Sequence, residues 1–287
     1  MSRVLEELVE QLSLEKIEEN LFRGQSQDLG WGQVFGGQVL GQALSAAAKT
    51  VDPARVVHSF HGYFLLPGRV DRPIVYDVDR IRDGRSFTTR RVSAIQNGQA
   101  IFTMAASFQV EEGGFDHQDQ MPQVEGPEGL PSQVELAKRY ADLMPSPLRE
   151  RFTTESPIEI RPVNPINPIR PDARPPQGMW WVRANGSLPD DPALHRYLLA
   201  YASDFNLIAV ALYPHGKSWL TGQVLLASID HAMWFHRSFR MDDWLLQVVE
   251  SPSASGARGL ARARYFTRDG RLVASTAQEG LARERER

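Results

Sequence analysis

The chain has 287 residues, 42% of them hydrophobic and 23% charged, a balance typical of an ordinary globular protein, and its length suggests roughly two domains. A net charge of −3 gives no footprint for a nucleic-acid partner, no run of about 18 apolar residues is present to span a bilayer, and the acidic N-terminal segment lacks the apolar stretch of a signal peptide, so a cytoplasmic location is expected. The absence of cysteine removes disulfides, thiolate zinc sites and a cysteine nucleophile together, which leaves any hydrolysis to oxygen chemistry.

Along residues 4–22, Val4, Leu5, Leu8, Leu12, Ile17 and Leu21 recur at helical spacing with a break near Ser13, which predicts one or two short amphipathic helices on the outside of the core. Residues 23–32 read as loop. A helix rich in small residues follows over 34–49, with Gly36, Gly37, Gly41 and Ala46 to Ala48. Such a surface lets other backbone come close on every side, as a helix enclosed by a sheet requires. From Val56 the period changes to two, predicting strands over 56–65, 74–80, 86–96 and 100–110, with Asp83-Gly84 and Asn97-Gly98 as two-residue hairpin signals.

Residues 111–178 hold twelve of the nineteen prolines and read as a linker, with a helix over 133–143 and an edge strand over 158–163. The first pattern then begins again. A strand over 180–184 is followed by Asp190-Asp191-Pro192, a cap with proline in the first turn, so a helix is predicted over 192–206. Leu194, Leu198 and Tyr201 give it an apolar face, widened by Leu199 and Phe205. Near its far end stands Asp204, a lone carboxylate among hydrophobic neighbours. Desolvation and the negative end of the helix dipole both disfavour its charge and make it more basic than a surface aspartate. The alternative is an aspartate that merely accepts hydrogen bonds from the following turn.

Strands are predicted over 220–228, 231–237, 244–250, 259–267 and 271–281. Asn97-Gly98 and Asp269-Gly270 lie in matching hairpins 172 positions apart (269 minus 97), and the same shift takes Gly84 to Gly256 and Arg90 to Arg262. Two helix-plus-antiparallel-sheet units, 1–110 and 179–287, flank the linker 111–178. Paired edge to edge they give an α+β fold with one continuous sheet, which removes exposed edges.

A helix of small residues wrapped by an antiparallel sheet, duplicated in tandem, resembles the double hotdog fold. The strings Leu21-Phe22-Arg23-Gly24-Gln25-Ser26, Val34-Phe35-Gly36-Gly37-Gln38-Val39, Val57-His58-Ser59-Phe60-His61, Trp181-Val182-Arg183-Ala184-Asn185-Gly186-Ser187, Ser228-Ile229-Asp230-His231-Ala232-Met233-Trp234-Phe235-His236 and Val273-Ala274-Ser275-Thr276-Ala277-Gln278-Glu279-Gly280 are similar to those of the type II acyl-CoA thioesterases, the bacterial TesB group and its peroxisomal relatives. The resemblance covers essentially the whole chain. It implies hydrolysis of fatty acyl-CoA to free fatty acid and CoA by a water that an aspartate, a threonine or serine, and a glutamine orient. Position by position these roles fall on Asp204, Ser228 and Gln278. Many bacterial members carry threonine where this chain has Ser228, so a methyl group is lost and the hydroxyl is kept. The resemblance also implies association into homodimers or homotetramers. No metal, cofactor, nucleic acid or membrane is expected as a partner.

Taken alone, Ser228 and Gln278 read as satisfied polar groups on half-buried strands. His58 and His61 are three apart, and His231 and His236 five apart, so on regular strands each pair points to opposite faces and is no shared metal clamp. Of these, His58 is the candidate to line the substrate pocket. No Gly-x-Ser-x-Gly elbow supports a serine nucleophile. Arg82, Arg85, Arg90 and Arg91 suit either CoA phosphates or solvated strand faces. Two other functions stay open at this point. Asp204-Phe205-Asn206 is similar to the Asp-x-Asn of hotdog hydratases and dehydratases, although Leu207 and Ala209 stand where that motif has proline and histidine. A non-catalytic acyl-CoA-binding protein would need the pocket but not the polar trio.

Overall fold

In the computed structural model, which describes residues 1–30, 32–144 and 146–285, thirteen strands join into one antiparallel sheet. Trp31, Pro145, Glu286 and Arg287, which fall within the loop, linker and C-terminal segments predicted above, lie outside those residues. The first half contributes α1 (Arg3–Leu12), β1 (Glu15–Glu18), β2 (Leu21–Gly24), α2 (Gly36–Ala48), β3 (Arg55–Phe64), β4 (Ile74–Asp83), β5 (Phe87–Gln96) and β6 (Gln99–Val110). After α3 (Gln133–Arg139) and α4 (Ser146–Thr153), the second half runs β7 (Ile158–Pro162), β8 (Gln177–Ala184), α5 (Pro192–Ser203), β9 (Val224–Ser228), β10 (Asp230–Phe235), β11 (Leu245–Ser255), β12 (Arg258–Thr267) and β13 (Leu272–Glu284). Strand order is β1-β2-β4-β5-β6-β3-β10-β13-β12-β11-β8-β7, with β9 beside the far end of β13. The halves meet through β3 and β10, where Phe60 lies opposite Met233 and both are fully buried. This is the continuous α+β double hotdog sheet that the tandem pattern predicts.

The repeat of 172 positions is followed closely by the strands. It carries β4, β5 and β6 to 246–255, 259–268 and 271–282, within two residues of β11, β12 and β13. The helices do not keep it, since Gly36 to Pro192 is 156 positions. Between its helix and its first core strand the second half has twenty-six residues, 204–229, where the first half has six, 49–54. The longer connection accommodates a 3₁₀ segment, Ile208–His215, and β9. The 3₁₀ segment lies flat on the sheet because two glycines beneath it lack side chains: a Cβ at Gly280 would stand 2.6 Å from Ile208 Cγ1, and one at Gly259 2.6 Å from Ala211 Cβ.

Several elements depart from the sequence reading. Residues 15–24 form a hairpin rather than a second helix: the burial of Leu21, Phe22, Arg23 and Gly24 alternates, and β2 pairs with β4, Gly24 opposite Ile74. Ile17, whose spacing to Leu21 suggests a helix, is exposed. The Asn97-Gly98 turn is tight, both residues being left-handed (φ 51° and 73°), as a type I′ turn requires. Asp83-Gly84 is not such a turn; the Gly84 N–H donates to the Phe87 carbonyl (3.0 Å) across a longer connection. The proline-rich segment also carries α4, and its strand β7 closes one edge of the sheet. Its helix α3 stops at Arg139 and opens on a capping box between Ser132 and Glu135. The strand predicted from 220 begins at Val224, after a 3₁₀ turn.

At the centre, α2 and α5 pack antiparallel with their backbones almost touching. A Cβ on Gly37 would lie 2.2 Å from the Tyr201 carbonyl oxygen, and one on Gly41 3.1 Å from that of Tyr197. Every residue of α2 from Gly37 to Ala47 is buried. Among the described residues no helix is long and apolar enough to cross a membrane.

Because backbone cannot yield as a flexible side chain does, Gly37→Ala is expected to lower the unfolding free energy by roughly 2–3 kcal/mol through overpacking. Gly114→Ala, where a Cβ would meet nothing within 4 Å, should stay within about 0.5 kcal/mol of the parent. Urea unfolding of the two variants checks this.

Candidate active site

The close approach of α2 and α5 delivers Asp204 to the start of α2. Asp191 caps α5 by accepting from the Ala193 N–H (2.9 Å), Pro192 occupies its first turn, and Asp204 is the C-cap where the chain leaves the helix. Two residues on, Asn206 adopts the left-handed conformation (φ 61°) that turns the backbone into the 3₁₀ segment. Asparagine tolerates that region better than most residues. The Asp-x-Asn string thus has a conformational reason that needs no second acid or base.

Asp204 meets glycine on the facing helix. A Cβ on Gly36 would lie 2.6 Å from Asp204 Oδ2, so only glycine admits the carboxylate here. The backbone of Gly37 gives it a hydrogen bond. Asp204 is therefore at the negative end of its own helix and the positive end of another. Burial dominates and raises its pKa above the ordinary carboxylate value, against the opposing hydrogen bonds of Gln278, Gly37 and Ser228.

The other two side chains arrive on strands. Gln278 lies in mid-β13, opposite Ala261 of β12, and is fully buried. Ser228 ends β9 opposite Gly280, while Ala232 of β10 is opposite Ala277. Four steps from 228 to 232 thus match three from 277 to 280, leaving one extra residue at 229–231. Such a bulge re-aims the side chains around it. Ser228 and His231, three apart and expected on opposite faces, consequently both reach Gln278.

Gln278 Nε2 donates to Asp204 Oδ1 at 2.7 Å and lies 3.0 Å from Ser228 Oγ, and the Ser228 hydroxyl donates to the same carboxylate oxygen at 3.3 Å. His231 Nδ1 is 3.2 Å from Gln278 Nε2. The His231 ring is fully buried and stacks on Phe60 at 6.0 Å between centroids. Burial pulls its pKa down to about 3, so it is neutral at ordinary pH.

Residues from α5, β9 and β13 that are far apart in sequence thus converge on one carboxylate. His58 does not join them. It is half-buried, with Nε2 2.8 Å from Ser107 Oγ and its ring against Phe87. It is six positions from Phe64, whose ring lies against Gly36. That is about 20 Å along an extended strand. Of the four arginines noted in the sequence, Arg90 is buried and faces neither solvent nor a cleft. It bonds Thr50 Oγ1 (2.9 Å), the Thr50 carbonyl (3.0 Å) and Asp83 (2.6 Å), so it ties the sheet to the end of α2. Arg91 pairs with Asp79 at 2.7 Å. Gly36 and Gly37 as partners of the carboxylate, and His231 as partner of Gln278, were missed by sequence reasoning. The Gly-Gly pair opening a helix was the one available signal. Among the described residues no group of three or more His, Asp or Glu side chains is placed to hold a metal ion.

A family described as acyl-CoA thioesterase matches residues 147–281, and one described as acyl-CoA thioesterase N-terminal domain matches residues 26–109. The chain is similar to acyl-CoA thioesterase 2 of Haemophilus influenzae, with 46% identity over 283 residues, 99% of both chains. It is 41% identical to human acyl-coenzyme A thioesterase 8 over 282 residues, covering 95% of this chain and 87% of that one. Among solved structures it is similar to the acyl-CoA thioesterase II TesB2 from Mycobacterium marinum, with a TM-score of 0.79 and 41% identity over 97% of this chain and 99% of that one. On these matches, which span both halves, the chain belongs to the acyl-CoA thioesterase family.

Proposed function

We propose that this protein hydrolyses fatty acyl-CoA to a free carboxylic acid and CoA by direct attack of a water that Asp204, Ser228 and Gln278 hold. The observation that carries this reading is the convergence of the three polar groups within 3.3 Å of one another in a chain of this family. Asp204 Oδ1 is occupied by Gln278 and Ser228, which leaves Oδ2, beside Gly36, to take a proton. As the water oxygen bonds to the thioester carbonyl carbon, Asp204 removes one of its protons and a tetrahedral oxyanion forms. Collapse breaks the C–S bond, and the Asp204 carboxyl returns the proton to the departing CoA sulfur. The raised pKa of Asp204 makes it a better base for water and a usable acid for the thiolate. Where a hotdog hydratase motif has its histidine this chain has Ala209, so water addition across a double bond lacks a second acid-base group there.

Release of free CoA from a panel of acyl-CoAs, beside hydration of a 2-enoyl-CoA, tests the reading. Asp204→Asn keeps the shape and removes the base, so kcat should fall by roughly two to four orders of magnitude while substrate still binds. Ser228→Ala and Gln278→Ala should each lower kcat. Asp204→Asn combined with Gln278→Ala should cost much less than the two single effects summed, because both act on one water. Ser228→Thr should be nearly neutral, since the hydroxyl is kept. Strict additivity, or wild-type turnover in Asp204→Asn, would remove the trio from the mechanism.

The raised pKa has a second consequence. The unfolded chain releases the Asp204 proton near the ordinary value of about 3.9, whereas the folded protein holds it to higher pH. Between those two values the native state binds more protons, so stability from this group is present below the lower value and lost as pH rises through the higher one. Urea unfolding from pH 3.5 to 7 should therefore show the wild type losing stability relative to Asp204→Asn as pH increases. Over the same window kcat should rise as Asp204 ionises. A stability difference that does not vary with pH would contradict the assignment of a raised pKa to Asp204.

A further inference from the structure

We infer that His231 is a positioning residue: Ser203 and Thr276 hold it in one tautomer, and that tautomer fixes which face of the Gln278 amide is turned toward Asp204. The inference rests on the reading of Gln278 as part of the water-holding unit.

The chain of bonds begins at two buried hydroxyls. Ser203, in the last turn of α5, donates its proton to the Ala200 carbonyl (2.8 Å), and Thr276 on β13 donates its proton to the Ala232 carbonyl (2.6 Å). A hydroxyl has one proton to give. With both protons committed to backbone, the two oxygens can only accept from His231 Nε2, which lies 3.0 Å from Ser203 Oγ and 2.9 Å from Thr276 Oγ1. Nε2 must therefore carry the ring proton. In a neutral imidazole that leaves Nδ1 as an acceptor with its lone pair toward Gln278 at 3.2 Å.

Gln278 then has no choice of orientation. The amide atom near His231 Nδ1 also lies 2.7 Å from the Asp204 carboxylate, and both neighbours are acceptors. Only the NH₂ group satisfies them; the reversed amide would set its oxygen against a lone pair and a carboxylate at once. The carbonyl oxygen, Oε1, consequently points the other way and is buried without a partner among the described residues. The hydroxyls set the ring, the ring sets the amide, and the amide's other proton goes to Asp204 Oδ1, which also accepts from the Ser228 hydroxyl. Neither Ser203, Thr276 nor His231 bonds Asp204 directly. The His231 ring reaches the Asp204 carboxylate through Gln278. The requirement also explains why so many polar atoms sit at the buried junction of α5, β10 and β13, where apolar packing would otherwise serve.

Two measurements on the full chain test this. The chain has seven histidines, so with ¹⁵N-labelled histidine a long-range ¹H–¹⁵N correlation spectrum resolves each ring, and the His231 signals are identified by their loss in His231→Asn. The expected result is a neutral ring protonated at Nε2 at pH 7. A ring protonated at Nδ1, or at both nitrogens, would overturn the inference without touching the thioesterase reading. Kinetically, His231→Leu removes the acceptor for Gln278 and should lower kcat about 10- to 100-fold, the effect of leaving a buried amide unpaired, with KM within about twofold. His231→Asn places an oxygen near the former Nδ1 and should recover most of that loss. The double variant Ser203→Ala, Thr276→Val keeps the ring and removes both acceptors for Nε2, so it serves if His231→Leu does not fold; it should lower kcat and abolish the exclusive Nε2–H signature. If His231→Leu and this double variant retain wild-type kcat while Gln278→Ala does not, the relay is refuted and the site reading stands. If Gln278→Ala also retains it, both fall.

Discussion

The structure depends on one close approach, that of α2 and α5 through Gly37 and Gly41. With any side chain at Gly37 the helices must separate. Separation would draw Asp204 away from Gly36 and from the backbone of Gly37, so the contact that builds the centre of the fold also delivers this carboxylate to its partners. A carboxylate at a helix C-terminus is disfavoured by its own helix dipole. Here the N-terminus of the facing helix supplies the compensating positive end. The site is in this sense a product of the duplication: each half contributes a helix, and the ionisable group stands where one helix ends against the beginning of the other.

The twenty residues that separate α5 from its first core strand, beyond the number found after α2, have a matching role. They turn at Asn206, lay the 3₁₀ segment over Gly259 and Gly280, and return as β9, so that Ser228 approaches the sheet beside Gln278. The first half has no such insertion. Ser228 stands on the added β9, and by the same strand repeat the position of Gln278 corresponds in the first half to Ala106, which has no polar side chain. The two halves share a scaffold, but the polar chemistry resides in one of two related places. This division follows from what was added to the second half, since the strands themselves match closely.

Much of this was legible in the sequence because the signals were local. Asp191-Pro192 announces the start of α5, Asn97-Gly98 requires its left-handed turn, and alternation marks β3 to β6 and β11 to β13. The displacement of 172 positions was visible in the hairpins alone. Asp204 stood out as a carboxylate in an apolar helix. Other features were set by contacts that no local pattern encodes. Residues 15–24 carry enough helical spacing to mislead, and only pairing with β4 makes them strands. The bulge at 229–231 brings Ser228 and His231, three apart, to the same amide, a juxtaposition that strand parity does not encode. Gly36 and Gly37 look like ordinary small residues of an enclosed helix until the partner helix shows why a side chain cannot be there. For Asp204, Ser228 and Gln278 together, the family resemblance contributed what spacing could not, because their proximity is created by three elements meeting.

The central claim is that Asp204 acts on a water and never bonds to the acyl group. A single turnover with enzyme in excess of acyl-CoA in ¹⁸O-water tests it most directly, with the released acid and the digested protein both weighed by mass spectrometry. Direct attack predicts one ¹⁸O in the acid, no ¹⁸O in the peptide bearing Asp204, and no protein of acyl-adduct mass at any time in the turnover. An acyl adduct on Ser228 or Asp204, or ¹⁸O in the Asp204 carboxyl group, would show that the chain itself is the nucleophile and would contradict the account.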